Sequence, residues 1–205
     1  MGNILRQSEM DMAVAPSQPD QRKAQRVALL IRAAKLLTRE GEFLCVIRDA
    51  SEEGISMRIF HPLPDCPNMM VELQNGDRYR AELRWQDGDR AGFRFASQAD
   101  VRRIIESPSR FTKRPVRINL TASAEIQTAD RCEYATLQDI SQQGAKIACS
   151  SRLAIDQRVV LRAAGMRDTP AKIRWRREGT CGVVFEETFQ FAELAHIVRE
   201  LQRRT

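Results

Sequence analysis

The chain repeats itself, and the repeat limits what it can fold into. Gly54 stands 31 residues before Trp85, and Gly144 stands 31 before Trp175. Trp85 stands 7 before Gly92, and Trp175 stands 7 before Gly182. Gly92-Phe93-Arg94-Phe95 matches Gly182-Val183-Val184-Phe185. Each half also carries an Asp-x-Ser-x-x-Gly hexamer, Asp49-Ala50-Ser51-Glu52-Glu53-Gly54 and Asp139-Ile140-Ser141-Gln142-Gln143-Gly144. Upstream of each hexamer lies an Arg-x-x-x-Arg pair, Arg22 with Arg26 and Arg110 with Arg114. Arg26 precedes Asp49 by 23 residues and Arg114 precedes Asp139 by 25, a difference assigned to the hairpin loop between them. So many matched spacings define a duplicated domain, with a period too long for a solenoid. Residues 1–21 are expected to form a mobile tail, 22–107 a first domain and 108–205 a second, with Pro108 at the boundary.

Each copy reads as a run of short strands. After Gly54, Ile55, Met57 and Ile59 alternate with Ser56 and Arg58. Asn75-Gly76-Asp77 and Asp87-Gly88-Asp89 are turn signals, and the prolines of the 61–67 segment make it a loop. Strands in quick succession with turns between them point to a small antiparallel barrel or sandwich. Residues 27–37 (Val27-Ala28-Leu29-Leu30-Ile31 onward) have helical propensity. Their counterpart, Pro115 to Ile126, contains Pro115, Asn119 and Thr121, which disfavour helix, so both segments are expected to be strands. A short helix capped by Ser97 and a last helix capped by Thr188 close the two copies. Trp85, Trp175, Phe95 and Phe185 are expected in the cores.

Composition narrows the function. The net charge of +6 is a weak pointer to an anionic partner. Aromatic residues make up only 6% and do not interleave with a basic stripe, so no nucleic-acid partner is expected. No apolar run is long enough to span a bilayer, and Ile4-Leu5 is followed at once by Arg6, unlike a signal peptide. Met1-Gly2 resembles a myristoylation start, but Arg6 stands where Ser or Thr is needed. A cytoplasmic chain is expected. Five cysteines without a Cys-x-x-Cys read as reduced and mostly buried, and with only two distant histidines, His61 and His196, no zinc site and no other metal are expected. No nucleophile motif or phosphate loop appears, so no enzyme and no cofactor are expected.

The hexamers and arginine pairs offer complementary chemistry. Arginine presents a planar fork of donors and no acceptor, suited to phosphate and to the O6 and N7 of guanine. Asp supplies acceptors for guanine N–H groups, Ser a small donor, and Gly room for close approach.

The arginine pair, the Asp-x-Ser-x-x-Gly turn and the Trp with Gly-x-x-Phe together resemble the PilZ domain family, over about residues 22–106 and 110–204. The resemblance implies an all-β fold: two tandem six-stranded antiparallel β-barrels, each followed by an α-helix. It also implies a bacterial signalling receptor that binds cyclic di-GMP and changes the conformation of its arm or of the two domains for an unknown downstream protein partner. Arg110 and Arg114 would grip guanine and phosphate, Asp139 and Ser141 would hold the base edge, and Gly144 would shape the turn. Arg22, Arg26, Asp49, Ser51 and Gly54 form a second candidate site. Neutral Gln142 and Gln143 favour the Asp139 copy, while Glu52 and Glu53 would oppose an anion at the Asp49 copy. The alternative is an adaptor with degenerate sites that binds no nucleotide, which exposed apolar surface at Phe60, Leu63 and Met69-Met70 would favour.

Overall fold

The computed structural model describes residues 27–66, 68–106, 115–150 and 152–203. The tail, the boundary at residues 107–108, and Arg22, Arg26, Arg110 and Arg114 lie outside the described residues. In the first copy β1 (Val27–Thr38), β2 (Gly41–Ala50), β3 (Gly54–Arg58), β4 (Asn68–Leu73), β5 (Arg78–Asp87) and β6 (Arg90–Phe95) form a closed antiparallel barrel, ordered β1-β2-β3-β6-β5-β4. The short α1 (Val101–Glu106) follows. The second copy repeats the plan with β7 (Ile118–Gln127), β8 (Cys132–Ser141), β9 (Gly144–Cys149), β10 (Arg158–Ala163), β11 (Thr169–Arg177) and β12 (Thr180–Phe185). Its barrel is followed by α2 (Phe191–Arg203).

Barrel closure explains why β1 is a strand despite its helix-favouring residues. It bonds to β2 along one edge and to β4 along the other, and Ala34 and Leu36 are completely buried in the first core. An isolated helix would leave both neighbouring edges open.

Several local expectations are corrected. Asp100, not Ser97, caps α1: its Oδ1 accepts from the backbone N–H groups of Arg102 and Arg103 at 3.0 and 3.3 Å. The first turn of α2 starts from Gln190 rather than Thr188. Leu194 N–H donates to Gln190 O at 2.9 Å, and Glu193 reaches back to accept from Gln190 N–H at 3.3 Å. The 23-against-25 spacing does not arise in a hairpin loop. Thr38 pairs with Gly41, and Thr128 N–H donates to Arg131 O at 2.8 Å, so both hairpins turn over two residues. The extra residues lie upstream of β7, because Ala28 stands opposite Asp49 whereas Asn119 stands opposite Asp139. Among the cysteines only Cys45 and Cys181 are buried; Cys132, the first residue of β8, is exposed, and Cys66 and Cys149 are intermediate.

The two barrels meet along a seam built by β2, β7 and α2. Leu44 of the first barrel is buried in the second barrel's core. Phe60 meets Phe191 edge to face with centroids 5.6 Å apart. Glu42 N–H donates to Gln202 Oε1 at 2.8 Å, and Gln202 Nε2 donates to Glu42 O at 2.9 Å. The exposed apolar surface considered for an adaptor is therefore not formed: Phe60 is used in the seam, Met69 is buried, and Leu63 packs on the first core.

Candidate functional site

The Asp139 hexamer is mostly strand rather than loop. Asp139, Ile140 and Ser141 end β8, Gly144 begins β9, and only Gln142 and Gln143 make the turn. A bulge between Leu137 and Asp139 resets the alternation, so Ile140 enters the core with no exposure while Asp139 faces outward. The Ser141 hydroxyl is fully buried and donates to Gly144 O at 3.1 Å. Gly144 is required by its neighbours: a Cβ there would lie 2.2 Å from Val183 O.

Among the described residues Arg117 is the side chain that engages Asp139. Its Nη1 donates to Asp139 Oδ1 at 2.6 Å, and the guanidinium remains half exposed. Arg117 stands two residues before Asn119, the partner of Asp139. In the sequence Arg26 stands two residues before Ala28, the partner of Asp49. Strand register thus matches Arg117 to Arg26, whereas the motif spacing matched Arg114 to it. Lys146, on β9, stands across from Asp139 on the other side.

Trp175 overturns the expectation that it is a core residue. It is 42% exposed, as is Trp85. The cause is a bulge between Ile173 and Trp175, repeated between Leu83 and Trp85. Without it each Trp would share the inward face of the residue two before it. Each indole instead lies against a glycine: a Cβ on Gly182 would fall 2.0 Å from Trp175 Nε1, and one on Gly92 2.1 Å from Trp85 Nε1. Phe95 and Phe185 are buried in their cores as expected.

Asp139, Arg117, Asn119, Gly144 and Trp175 line one cavity of about 690 Å³. That volume lies in the range of small-molecule sites. Its opposite wall belongs to the first barrel and includes Lys35, Glu72 and Gln74. Ser141 does not reach this cavity, and the positions of Arg110 and Arg114 are outside the described residues. The wall thus offers a guanidinium fork, a carboxylate, an amide and an aromatic face, a set able to bind phosphate and hold a purine.

The first copy is arranged differently. Asp49 Oδ2 accepts a short hydrogen bond from the Ser56 hydroxyl, which is buried and occupies the place of Lys146. The Ser51 hydroxyl donates to Gly54 O at 3.3 Å, and a Cβ on Gly54 would meet Phe93 O at 2.5 Å. Glu52 and Glu53 are exposed. Among the described residues there is no His, Cys, Asp and Glu cluster able to hold a metal, and no helix long and apolar enough to cross a membrane.

The model of the PilZ domain matches residues 20–107 and again 108–203, so the chain belongs to the PilZ domain family and carries the domain twice. Members of the family are ligand-binding receptors or adaptors. No curated protein matches the chain by sequence. Among solved structures it is similar to the PlzA protein of Borreliella burgdorferi in complex with c-di-GMP, at 10% identity over 88% of this chain and 94% of that one, with a TM-score of 0.36. It is similar to Bacillus subtilis MotI/DgrA, an inhibitor of motility, at 12% identity over 85% and 97%, TM-score 0.38. It is also similar to Escherichia coli YcgR in complex with c-di-GMP, at 12% identity over 85% of each chain, TM-score 0.36.

Proposed function

We propose that the chain is a cyclic di-GMP receptor whose second barrel holds the ligand. The observation that carries this reading is the convergence of Asp139, Arg117, Asn119 and Trp175 on one cavity. Asp139 accepts from guanine N–H groups, a role no arginine can fill. Arg117 exchanges its contact with Asp139 for a phosphate or for the guanine O6 and N7 edge. Trp175 offers its exposed indole as a stacking surface, and Ser141 and Gly144 hold the turn. Arg110 and Arg114 complete the grip from the segment that precedes β7. The first copy, with Asp49 engaged by Ser56, is the weaker site or none. Ligand in a cavity walled by both barrels alters their relation, and this is the signal passed to a downstream protein.

Isothermal titration of the full chain with cyclic di-GMP tests the reading, with GTP, cyclic mono-GMP and a short DNA duplex as controls. The expected result is saturable binding of cyclic di-GMP alone, lost when Arg110 and Arg114 are both changed to Ala. Absence of heat and of any thermal shift at high micromolar ligand would overturn it in favour of an adaptor that binds no nucleotide. Binding of the DNA duplex would overturn the expectation that nucleic acid is not a partner.

A further inference from the structure

The cavity has a first-barrel wall, and one residue in it carries a positive charge. Lys35 sits on β1, opposite Glu72 on β4, and is 8% exposed. Its Nζ lies 3.1 Å from Glu42 Oε2 and 2.8 Å from Glu72 Oε1. A lysine has three N–H donors, and the third has no partner among the described residues. Glu72 is held from its other side by Arg78 at 2.7 Å. Burial would raise the Glu72 carboxyl, but hydrogen bonds from Lys35 and Arg78 and their charges leave it below the usual carboxylate range. Two cations and two carboxylates balance in this network, and it borders the space beside Asp139.

Glu42 has a second task. Its Oε2 accepts from Asn119 N–H and its Oε1 from Asn119 Nδ2, both at 2.9 Å. Asn119 is the β7 partner of Asp139 and lines the same cavity. One carboxylate therefore joins the first barrel's lysine to the second barrel's site strand.

We propose that Lys35 is the first barrel's ligand contact: its ammonium takes a phosphate oxygen of the cyclic dinucleotide in competition with Glu42, which couples occupancy to the Glu42–Asn119 contact at the seam. The inference rests on the cyclic di-GMP reading above. It makes the two partners of one ion pair act in opposite directions on affinity. Lys35→Gln removes the phosphate donor, whereas Glu42→Gln removes the competing negative charge and keeps one oxygen at the position that Lys35 and Asn119 N–H share. If the pair served only to hold the barrels together, breaking it from either side would move affinity the same way.

The test is titration of the full chain and its variants with cyclic di-GMP, with circular dichroism to confirm the fold. Lys35→Gln is expected to weaken binding about tenfold or more, the loss of a charge-assisted hydrogen bond. Glu42→Gln is expected to tighten binding about threefold, and Lys35→Arg to stay within about threefold of the unmodified chain. Should Lys35→Gln fail to fold, tightening by Glu42→Gln against an unchanged Lys35→Arg still decides. Shifts in the same direction, or none in any variant, would overturn the role of Lys35 while leaving the receptor reading in place. Failure of the unmodified chain to bind would overturn both.

Discussion

The two hexamers do the same work for their barrels and different work around their carboxylates. In each, the turn carbonyls receive the chain that returns toward the helix: Phe95 N–H donates to Glu53 O at 2.8 Å and Ala99 N–H to Glu52 O at 2.9 Å. Phe185 N–H donates likewise to Gln143 O at 2.9 Å and Phe189 N–H to Gln142 O at 3.0 Å. The serines of both copies are buried on their glycine carbonyls. The aspartates part company. Asp49 is engaged by a buried hydroxyl inside its own sheet, whereas Asp139 meets an exposed guanidinium at the edge of a cavity. The Ser and Gly of the motif are thus explained by barrel architecture alone, and among the described residues the two copies differ in the setting of the Asp.

The strongest test of that separation is a pair of carboxylate removals. Asp139→Ala is expected to weaken cyclic di-GMP binding about tenfold to a hundredfold, the loss of hydrogen bonds to a charged acceptor. Asp49→Ala should leave affinity within about twofold. It should lower thermal stability instead, because the buried Ser56 hydroxyl loses its acceptor, a cost of about 1–3 kcal/mol. Calorimetry and thermal unfolding on both variants read the two effects separately. Equal loss of affinity from both would make the copies equivalent and break the comparison.

Next in size is a shared architectural effect. Gly144→Ala and Gly54→Ala each drive a Cβ into a backbone oxygen, at 2.2 and 2.5 Å, where no side chain can move aside. Each should destabilise its barrel by about 1–3 kcal/mol, read as a lower Cm in urea. Only Gly144→Ala should also lower affinity. A smaller effect is expected at the tryptophans. Trp175→Leu should weaken binding several-fold, and Trp85→Leu should not, although both indoles are equally exposed. Equal responses would remove Trp175 from the site.

The repeat carried most of the fold. Matched distances from Gly to Trp to Gly made β1 legible as a strand against its own propensity, because its counterpart contains Pro115 and Asn119. What escaped depends on register rather than on residue type. Trp85 and Trp175 alternate as core residues until a bulge one position earlier turns them outward, and no residue type announces that bulge. Arg117 is missed because motif spacing alone matches Arg114 to Arg26 and assigns the two-residue difference to a hairpin loop, whereas both hairpins turn over two residues. The helix starts lie downstream of Ser97 and Thr188, where Asp100 accepts from the first N–H groups of α1 and Glu193 reaches back to Gln190 N–H, and hydroxyl position in the sequence does not mark either. Lys35 was invisible as a site candidate, since its partners Glu42 and Glu72 come from two other strands and the cavity it borders exists only when two barrels meet.

The smallest predicted effect also separates the barrels, at the seam rather than at the ligand. His61, in the loop after β3, has no histidine counterpart in the second copy. It is buried, stands edge to face against Phe43 with centroids 5.1 Å apart, and its Nδ1 lies 2.9 Å from Pro62 O. That contact makes Nδ1 the protonated nitrogen of the neutral ring, and Nε2 is buried without a hydrogen-bond partner among the described residues. Burial holds its pKa below 6.5; the carbonyl of Pro62 opposes the shift, and positive charge from Arg199 and His196 on α2 adds to it. The unfolded chain therefore binds this proton more readily than the folded one. The stabilisation is fully present above pH 6.5 and is lost as the pH falls through that value toward the lower folded pKa. Thermal unfolding of the full chain should show the midpoint falling between about pH 7.5 and 5.5, partly through other titrating groups. His61→Phe keeps the ring against Phe43 and removes the titration, so its midpoint should fall less over the same interval. Parallel pH profiles for the two proteins would show that protonation at His61 places no strain on the seam.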